Sequence, residues 1–486
     1  MHRTAAGIVL ASILIAVGAR AQDAGTPPSA LDAGAPAAPD EALAPDTAAP
    51  DGAAALGDAV PDDLETAGDL GAPQASRAPS RIAPAAPAPP SPSVTVADAD
   101  ATDSVAIHVP TGLGHDFVAT LGGYVETAFT WSFAEPWNGL IAWRGFDNRH
   151  ATFTLANVAL VTRFELDRVY TAITLQWGNT PDTYYLAEPS GTLIGGSPEP
   201  SGRFGVGPSS AATWRFLQEA YFGWNAPVLD GLAIEGGLFL SPIGFESLAI
   251  RDGWHWSRSN LFYGLPFYHT GIRLRTPLSS EWTLSAGVFN GWNSVLDNND
   301  EKSGAVWIDY ATDELAFHAL YFGGVERVDG NWRSLFDAWV RWTPIPWLSL
   351  ALHGNAGFEP VSGAPEDDSM NWWAAGALYV RVLPIEWLAI AARADVFADH
   401  APGDIPSQRL FWPTTPLMAS QTVTVQVMPE PHLSFFVEYR HDHAEPDPSR
   451  RFAGSFFDGR MTSSLGGIEP TSSTQDTITF GATAGF

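Results

Sequence analysis

The 486-residue chain contains no cysteine, which excludes a disulfide framework and a thiolate zinc site. Charged residues are scarce, 16% of the chain, and most of them are acids. The resulting net charge of −29 excludes a nucleic-acid partner, whose phosphates require a basic surface. Long apolar runs are lacking beyond the extreme N-terminus: no later stretch supplies about 18 uninterrupted apolar residues, so any membrane role falls to strands rather than helices. The G-x-S-x-G elbow, the P-loop and H-E-x-x-H are also missing. The sequence therefore assigns no catalytic residue, no cofactor and no metal site.

What is present falls into three parts. Residues 1–21 carry Arg3, the apolar run AAGIVLASILIAVGA and the small-x-small triplet Ala19-Arg20-Ala21, the pattern of a signal peptide cleaved before Gln22. Residues 22–110 are rich in Ala, Pro and Asp, and no Phe, Trp or Tyr precedes Phe117. Up to Val105 this segment holds fourteen acids against two bases. Such a composition buries too little apolar surface to offset its ordering entropy, and it reads as a disordered periplasmic linker.

Residues 111–486 form the third part, where two-residue alternation recurs. In VYTAITLQW, Val169, Ile173, Leu175 and Trp177 oppose Tyr170, Thr174 and Gln176. The alternation predicts sixteen strands, at 117–131, 151–164, 168–178, 213–226, 231–240, 268–276, 281–290, 303–310, 314–323, 332–343, 346–358, 371–382, 385–397, 416–428, 431–441 and 474–486. Long connections alternate with tight ones such as LDR, TDE, TPIP, LPIE and MPEP. That sorting belongs to outer-membrane barrels. The expected fold is all-β: a 16-stranded antiparallel transmembrane β-barrel preceded by the disordered segment. Trp131, Trp177, Trp224, Trp282, Trp342, Trp347 and Trp387 fall near strand ends, where an aromatic girdle sits. The last strand ends TITFGATAGF, with Ile478, Phe480, Ala482, Ala484 and Phe486 on one face. This ending is of the kind the barrel assembly machinery reads, which makes that machinery and outer-membrane lipid expected partners.

Arginine on the lipid face costs ~2–4 kcal/mol at the midplane, so strand charges must point inward. Parity places Arg215, Arg273, Arg275, Arg333, Arg341, Arg381, Arg393 and Arg440 in the lumen, with Glu126, Glu219, Asp309, Asp337, Asp395, Glu438 and His269. The bases outnumber the acids, which points to a weak anion preference. The alternative is that most of these charges pair across strands and select little.

GYVETAFTW, RGFDNRHATFTL, GLFLSPIGFE, SRSNLFYGLPFYHTGIR and GVFNGWNSVLDNN occur in this order between 121 and 300. Together they resemble the OmpL-like β-barrel porin family (porin-2). The resemblance implies an outer-membrane channel for passive diffusion of small hydrophilic solutes, with no settled substrate. By analogy with general porins, in which the third loop folds inward and trimers are common, an inward-folded third loop is expected here, and a homotrimer is the oligomer open to it. That loop lies within SPIGFESLAIRDGWHWSRSNLFYGLPFYHTGIR. Its packing would come from Trp254, Trp256, Phe262, Tyr263, Phe267 and Tyr268, and its constriction charges from Glu246, Arg251, Asp252 and Arg258. In the first loop, Arg144, Asp147, Arg149 and His150 are placed to tie that loop to the rim. DNNDE at 297–301 lacks the spacing of a calcium loop and HDH at 441–443 opens a loop, so both read as polar surface. The other function these residues leave open is a non-transport surface or anchoring protein, an adhesin or envelope tether.

Overall fold

Alternation in the sequence becomes strands with one buried and one exposed face. In Val169–Trp177 the residues Tyr170, Ala172, Thr174 and Gln176 are buried, whereas Val169 and Trp177 are exposed. The computed structural model describes residues 105–110 and 116–486, apart from 186–210, 230, 298, 300, 327–329, 362–363, 365–368, 405–408, 448–453 and 460–469. The expected signal peptide and the linker up to residue 104 lie outside the described residues.

In chain order the strands are β1 (Val105–Pro110), β2 (Asp116–Ser132), β3 (Thr152–Leu166), β4 (Val169–Trp177), β5 (Leu217–Ala226), β6 (Leu232–Leu240), β7 (Tyr268–Pro277), β8 (Trp282–Phe289), β9 (Ser303–Ala311), β10 (Leu315–Val325), β11 (Trp332–Ile345), β12 (Leu348–Pro360), β13 (Met370–Ile385), β14 (Leu388–His400), β15 (Leu417–Glu430), β16 (Leu433–Ala444) and β17 (Thr474–Gly485). From β2 to β17 each strand pairs antiparallel with the next. The ring closes where β17 pairs with β2, from Thr477 opposite Ser132 to Gly485 opposite Tyr124. The result is a closed 16-stranded barrel. Closure leaves no sheet edge, as a strand structure in lipid requires.

The outer face carries Phe153, 85% exposed, with Phe222 and Ile272 near 60% (62% and 59%). Apolar surface this open, all around a sheet, is the signature of a lipid-facing wall. Trp224, Trp282, Trp342, Trp347 and Trp387, each at least a third exposed, ring the end with short turns, and Trp177, Trp332 and Trp372 lie toward the other. Inside, the end with long connections is packed rather than open. Leu261, Leu265, Trp292, Trp412 and Phe456 from the connections share one apolar cluster with Phe322, Trp373 and Phe397 from the wall.

Composition assigned 105–110 to the linker, yet these residues form β1. The strand pairs with the start of β2, Val105 opposite Leu121 and Pro110 opposite Asp116. Above it on β2, the Phe486 and Gly123 backbones exchange two hydrogen bonds (3.1 and 3.0 Å). Gly123 has no Cβ, and the Phe486 ring occupies the space one would fill. β17 stops short of the barrel end, and β1 takes the pairing groups of β2 that it leaves.

Three tight turns sit two or three residues later than the sequence places them. TPIP, LPIE and MPEP read as turns because of their prolines. Instead, Pro344, Pro384 and Pro429 lie in register shifts of β11, β13 and β15, and the turns proper are the next pairs, Pro346-Trp347, Glu386-Trp387 and Pro431-His432. A bulge tolerates the missing N–H of proline, so the strand runs past it.

Candidate functional site

The connection from Ser241 to Phe267 leaves β6 and returns as β7, with single turns at Ile250–Asp252 and Asn260–Tyr263 as its only helical pieces. Pro242, Gly244, Gly253, Gly264 and Pro266 keep it from regular structure, and Gly244 has φ 100°. Irregular backbone leaves N–H and C=O groups that need partners once buried.

Strand carboxylates supply acceptors for those N–H groups. Glu126 on β2 accepts from Ile250 (2.6 Å) and Arg251 (3.4 Å). Glu438 on β16 accepts from Trp256 (2.6 Å) and Ser257 (3.0 Å). Asp395 on β14 accepts from Asn260 (3.0 Å) and Asp337 on β11 from Gly244 (3.1 Å). All four carboxylates are at most 5% exposed. Each such bond spares a buried N–H the ~1–3 kcal/mol cost of going unsatisfied.

Strand arginines take the carbonyls. Arg393 donates to Ser257 O (2.7 Å) and to Glu246 (2.8 Å), and its Nε lies 3.2 Å from Asp395. Arg440 donates to Arg258 O, to Asn260 Oδ1 (3.1 Å) and to Asp442 (2.6 Å). Within the connection, Arg258 spends its guanidinium on Ser247 O (3.2 Å), Trp256 O (2.9 Å) and Leu248 O. The Trp256 ring lies over Gly481 of β17, in the space a side chain there would fill, and meets Phe436 edge-on at 5.7 Å.

Two groups of the connection are shifted by burial. His255 is held well below the usual histidine value, first by desolvation and then by Arg393, Arg440 and Arg381. It is therefore neutral and bonds Thr424 at 2.7 Å. Burial raises the Tyr263 hydroxyl to about 12.

The family model described as "Putative beta-barrel porin-2, OmpL-like" matches residues 119–486. The chain belongs to this porin family. Solved structures with a similar fold include OmpT of Vibrio cholerae, at 10% identity over 76% of this chain and 98% of that one, with a TM-score of 0.47. Another is an anion-selective porin from Comamonas acidovorans, at 11% identity over 76% of this chain and 100% of that one, with a TM-score of 0.46. A third is the outer membrane channel DcaP of Acinetobacter baumannii, at 9% identity over 78% and 99%, with a TM-score of 0.43. No curated protein matches the chain. The porin is integral to the outer membrane, so the short turns face the periplasm and the long connections face outward.

In this porin the residues expected to share one charged passage divide into groups. Glu126, Asp337, Asp395, Glu438, Arg393 and Arg440 lie beneath the third connection and bind it. Glu246 belongs with them through Arg393 and Ser259 N–H (2.9 Å). Trp256, expected among the packing residues of the constriction loop, is 1% exposed, and Arg258, expected as a constriction charge, is 5% exposed and sealed inside the connection. Arg251 and Asp252 pair at 3.4 Å, and Trp254 stays half-buried.

His269 points inward but is fully buried, stacked on Phe289 at 4.7 Å. Arg215 is not on a strand: β5 begins at Leu217, and Arg215 meets Asp182 at 3.4 Å at the outer end of the barrel. Glu219 accepts from Thr174 at 3.3 Å. Arg333 pairs with Glu359 at 2.7 Å, while Asp309 bonds His318 at 2.7 Å.

Toward the periplasm, Arg273 (2.6 Å) and Arg275 (3.0 Å) share the single carboxylate of Glu235, a residue the parity argument passed over. Its signal was available, since Glu235 alternates with Ile234 and Gly236 within an apolar strand. Arg381 donates to Gln426 (2.9 Å), and Arg341 lines a cavity. Neither has an acidic partner among the described residues.

In the first loop three of the four residues singled out by the sequence make side-chain contacts, whereas Arg149 is exposed. Arg144 lies 3.3 Å from Asp147 and donates to Thr477 (2.9 Å), and His150 Nδ1 accepts from Ser132 N–H (3.0 Å). No metal-holding cluster occurs among the described residues, and Asn298 and Asp300 of DNNDE lie outside them.

Proposed function

We propose that this porin passes small hydrophilic solutes by passive diffusion through a lumen narrowed by the connection Ser241–Phe267, with a preference for anions and no chemical step. One observation carries the reading. The connection springs from β6 and β7, yet its backbone is bound by carboxylates on β2, β11, β14 and β16, and β14 stands eight strands around the ring from β6. Glu126 and Glu438 are opposite Thr483 and Thr479 of β17, in the body of the wall rather than at its rim. A segment tied to opposite walls at that depth narrows whatever passes.

The charge preference follows from which groups remain unsealed. The acids beneath the connection are occupied by its N–H groups, whereas Arg273 and Arg275 share one acid and Arg341 and Arg381 have none among the described residues. A positive wall concentrates anions without binding them tightly. The test is the reversal potential of the purified porin in a planar bilayer across a KCl gradient. The expected sign is anion-selective, and a cation-selective potential overturns the preference.

A further inference from the structure

The third connection borders an open cavity lined in part by Phe245, Trp254, His255, Arg341 and Tyr379. Its aromatic wall is continuous. Phe245 meets Trp254 at 5.4 Å and Tyr379 at 4.9 Å, and both Phe245 and Trp254 are only half-buried, so their rings are open to the cavity. The acids that also line it are committed elsewhere, Glu246 to Arg393 and Asp252 to Arg251. Arg258 is committed to three carbonyls. Arg341 alone among the lining charges has no ion pair or hydrogen bond among the described residues.

An unpaired guanidinium beside exposed aromatic faces makes two demands on an occupant. Its planar fork matches a carboxylate through paired hydrogen bonds, and the rings favour a flat apolar body. Acetate meets only the first demand, and chloride meets neither. We infer that this cavity is a solute subsite for small aromatic carboxylates, held at Arg341 through the carboxylate and against Phe245 and Trp254 through the ring. The inference rests on the proposed channel and names the class of solute that lingers in it. It also accounts for half-buried rings beside an unpaired arginine, where a purely ionic passage needs none.

Benzoate is the probe. Added to wild-type porin conducting KCl in a planar bilayer, it should reduce the current saturably, while equal acetate and equal benzyl alcohol do not. Arg341→Gln should raise the half-blocking concentration of benzoate about tenfold, beyond any change in KCl conductance that loss of the charge itself brings. Arg341→Lys should restore part of the block, and Trp254→Ala should weaken benzoate while leaving acetate as before. Heat-modifiable migration of each variant certifies that it is folded. If the channel conducts and is anion-selective but benzoate blocks no better than acetate or benzyl alcohol, or if Arg341→Gln blocks like wild type, the subsite is wrong and the channel stands. If folded wild-type porin carries no KCl current, the channel and the subsite fall together.

Discussion

Glu438 accepts the backbone N–H of Trp256 at 2.6 Å and that of the next residue, Ser257, at 3.0 Å, so one strand carboxylate caps two consecutive amides of the third connection. Thr424 donates a third bond to it at 2.8 Å. Glu438→Gln keeps the shape but replaces a full charge by a carbonyl dipole and sets an amide NH₂ against N–H donors. Docking of the connection should weaken by ~1–3 kcal/mol. Single-channel records should then show frequent excursions to a larger conductance, which wild type lacks.

Gly481 makes a separate, steric demand. A Cβ there would fall within 2.2 Å of the Trp256 ring, and neither can yield easily, since the ring is fully buried and the strand is paired on both sides. Gly481→Leu should expel Trp256 and raise conductance. Gly354, whose Cβ would come no nearer than 3.6 Å to another atom, is the control: Gly354→Ala should leave the channel unchanged.

Acid should loosen the same connection through His255. Its imidazole is neutral when docked, because burial and Arg393, Arg440 and Arg381 lower its pKa. Glu438 Oε2 at 3.9 Å does not reverse this, since its charge is shared with two amides and Thr424. A group whose pKa is lowered in the docked state binds protons more readily undocked. Docking is therefore strongest above about pH 6.5 and weakens below it, by up to ~1.4 kcal/mol per pH unit. Open excursions should rise as the pH falls below about 6.5, and His255→Gln should flatten that dependence.

β1 stabilises the barrel without narrowing it. Removing residues 105–110 leaves the pairing groups of Asp116–Leu121 on β2 open on one side. Each net backbone hydrogen bond contributes about 0.5–1.5 kcal/mol. The truncated barrel should unfold at lower temperature, read as loss of heat-modifiable migration, while its conductance stays that of wild type.

The sixteen strands were legible because a lipid-facing wall writes its own alternation: one face must be apolar and the other can be anything else. Parity turned Arg273, Arg381, Arg393 and Glu438 inward for the same reason. What fills the interior was not legible. Alternation says which way Glu126 points but not that Ile250, more than a hundred residues away, supplies its partner, so groups that clamp the connection looked the same as groups that line a passage. β1 was hidden because six residues with neither aromatics nor a neighbour in sequence carry too little pattern. Pro344, Pro384 and Pro429 misplaced three turns because proline marks a bulge as readily as a turn.

Narrowing of the channel by the third connection, held by Glu126, Asp337, Asp395 and Glu438, is open to measurement. Its most direct measurement compares the single-channel KCl conductance of wild-type porin with that of a variant lacking residues 246–260, with Glu126→Ala/Glu438→Ala as a companion that keeps the chain length. Both variants should conduct several-fold more than wild type, with reversal potentials nearer zero. Unchanged conductance and selectivity in two folded variants would contradict the account.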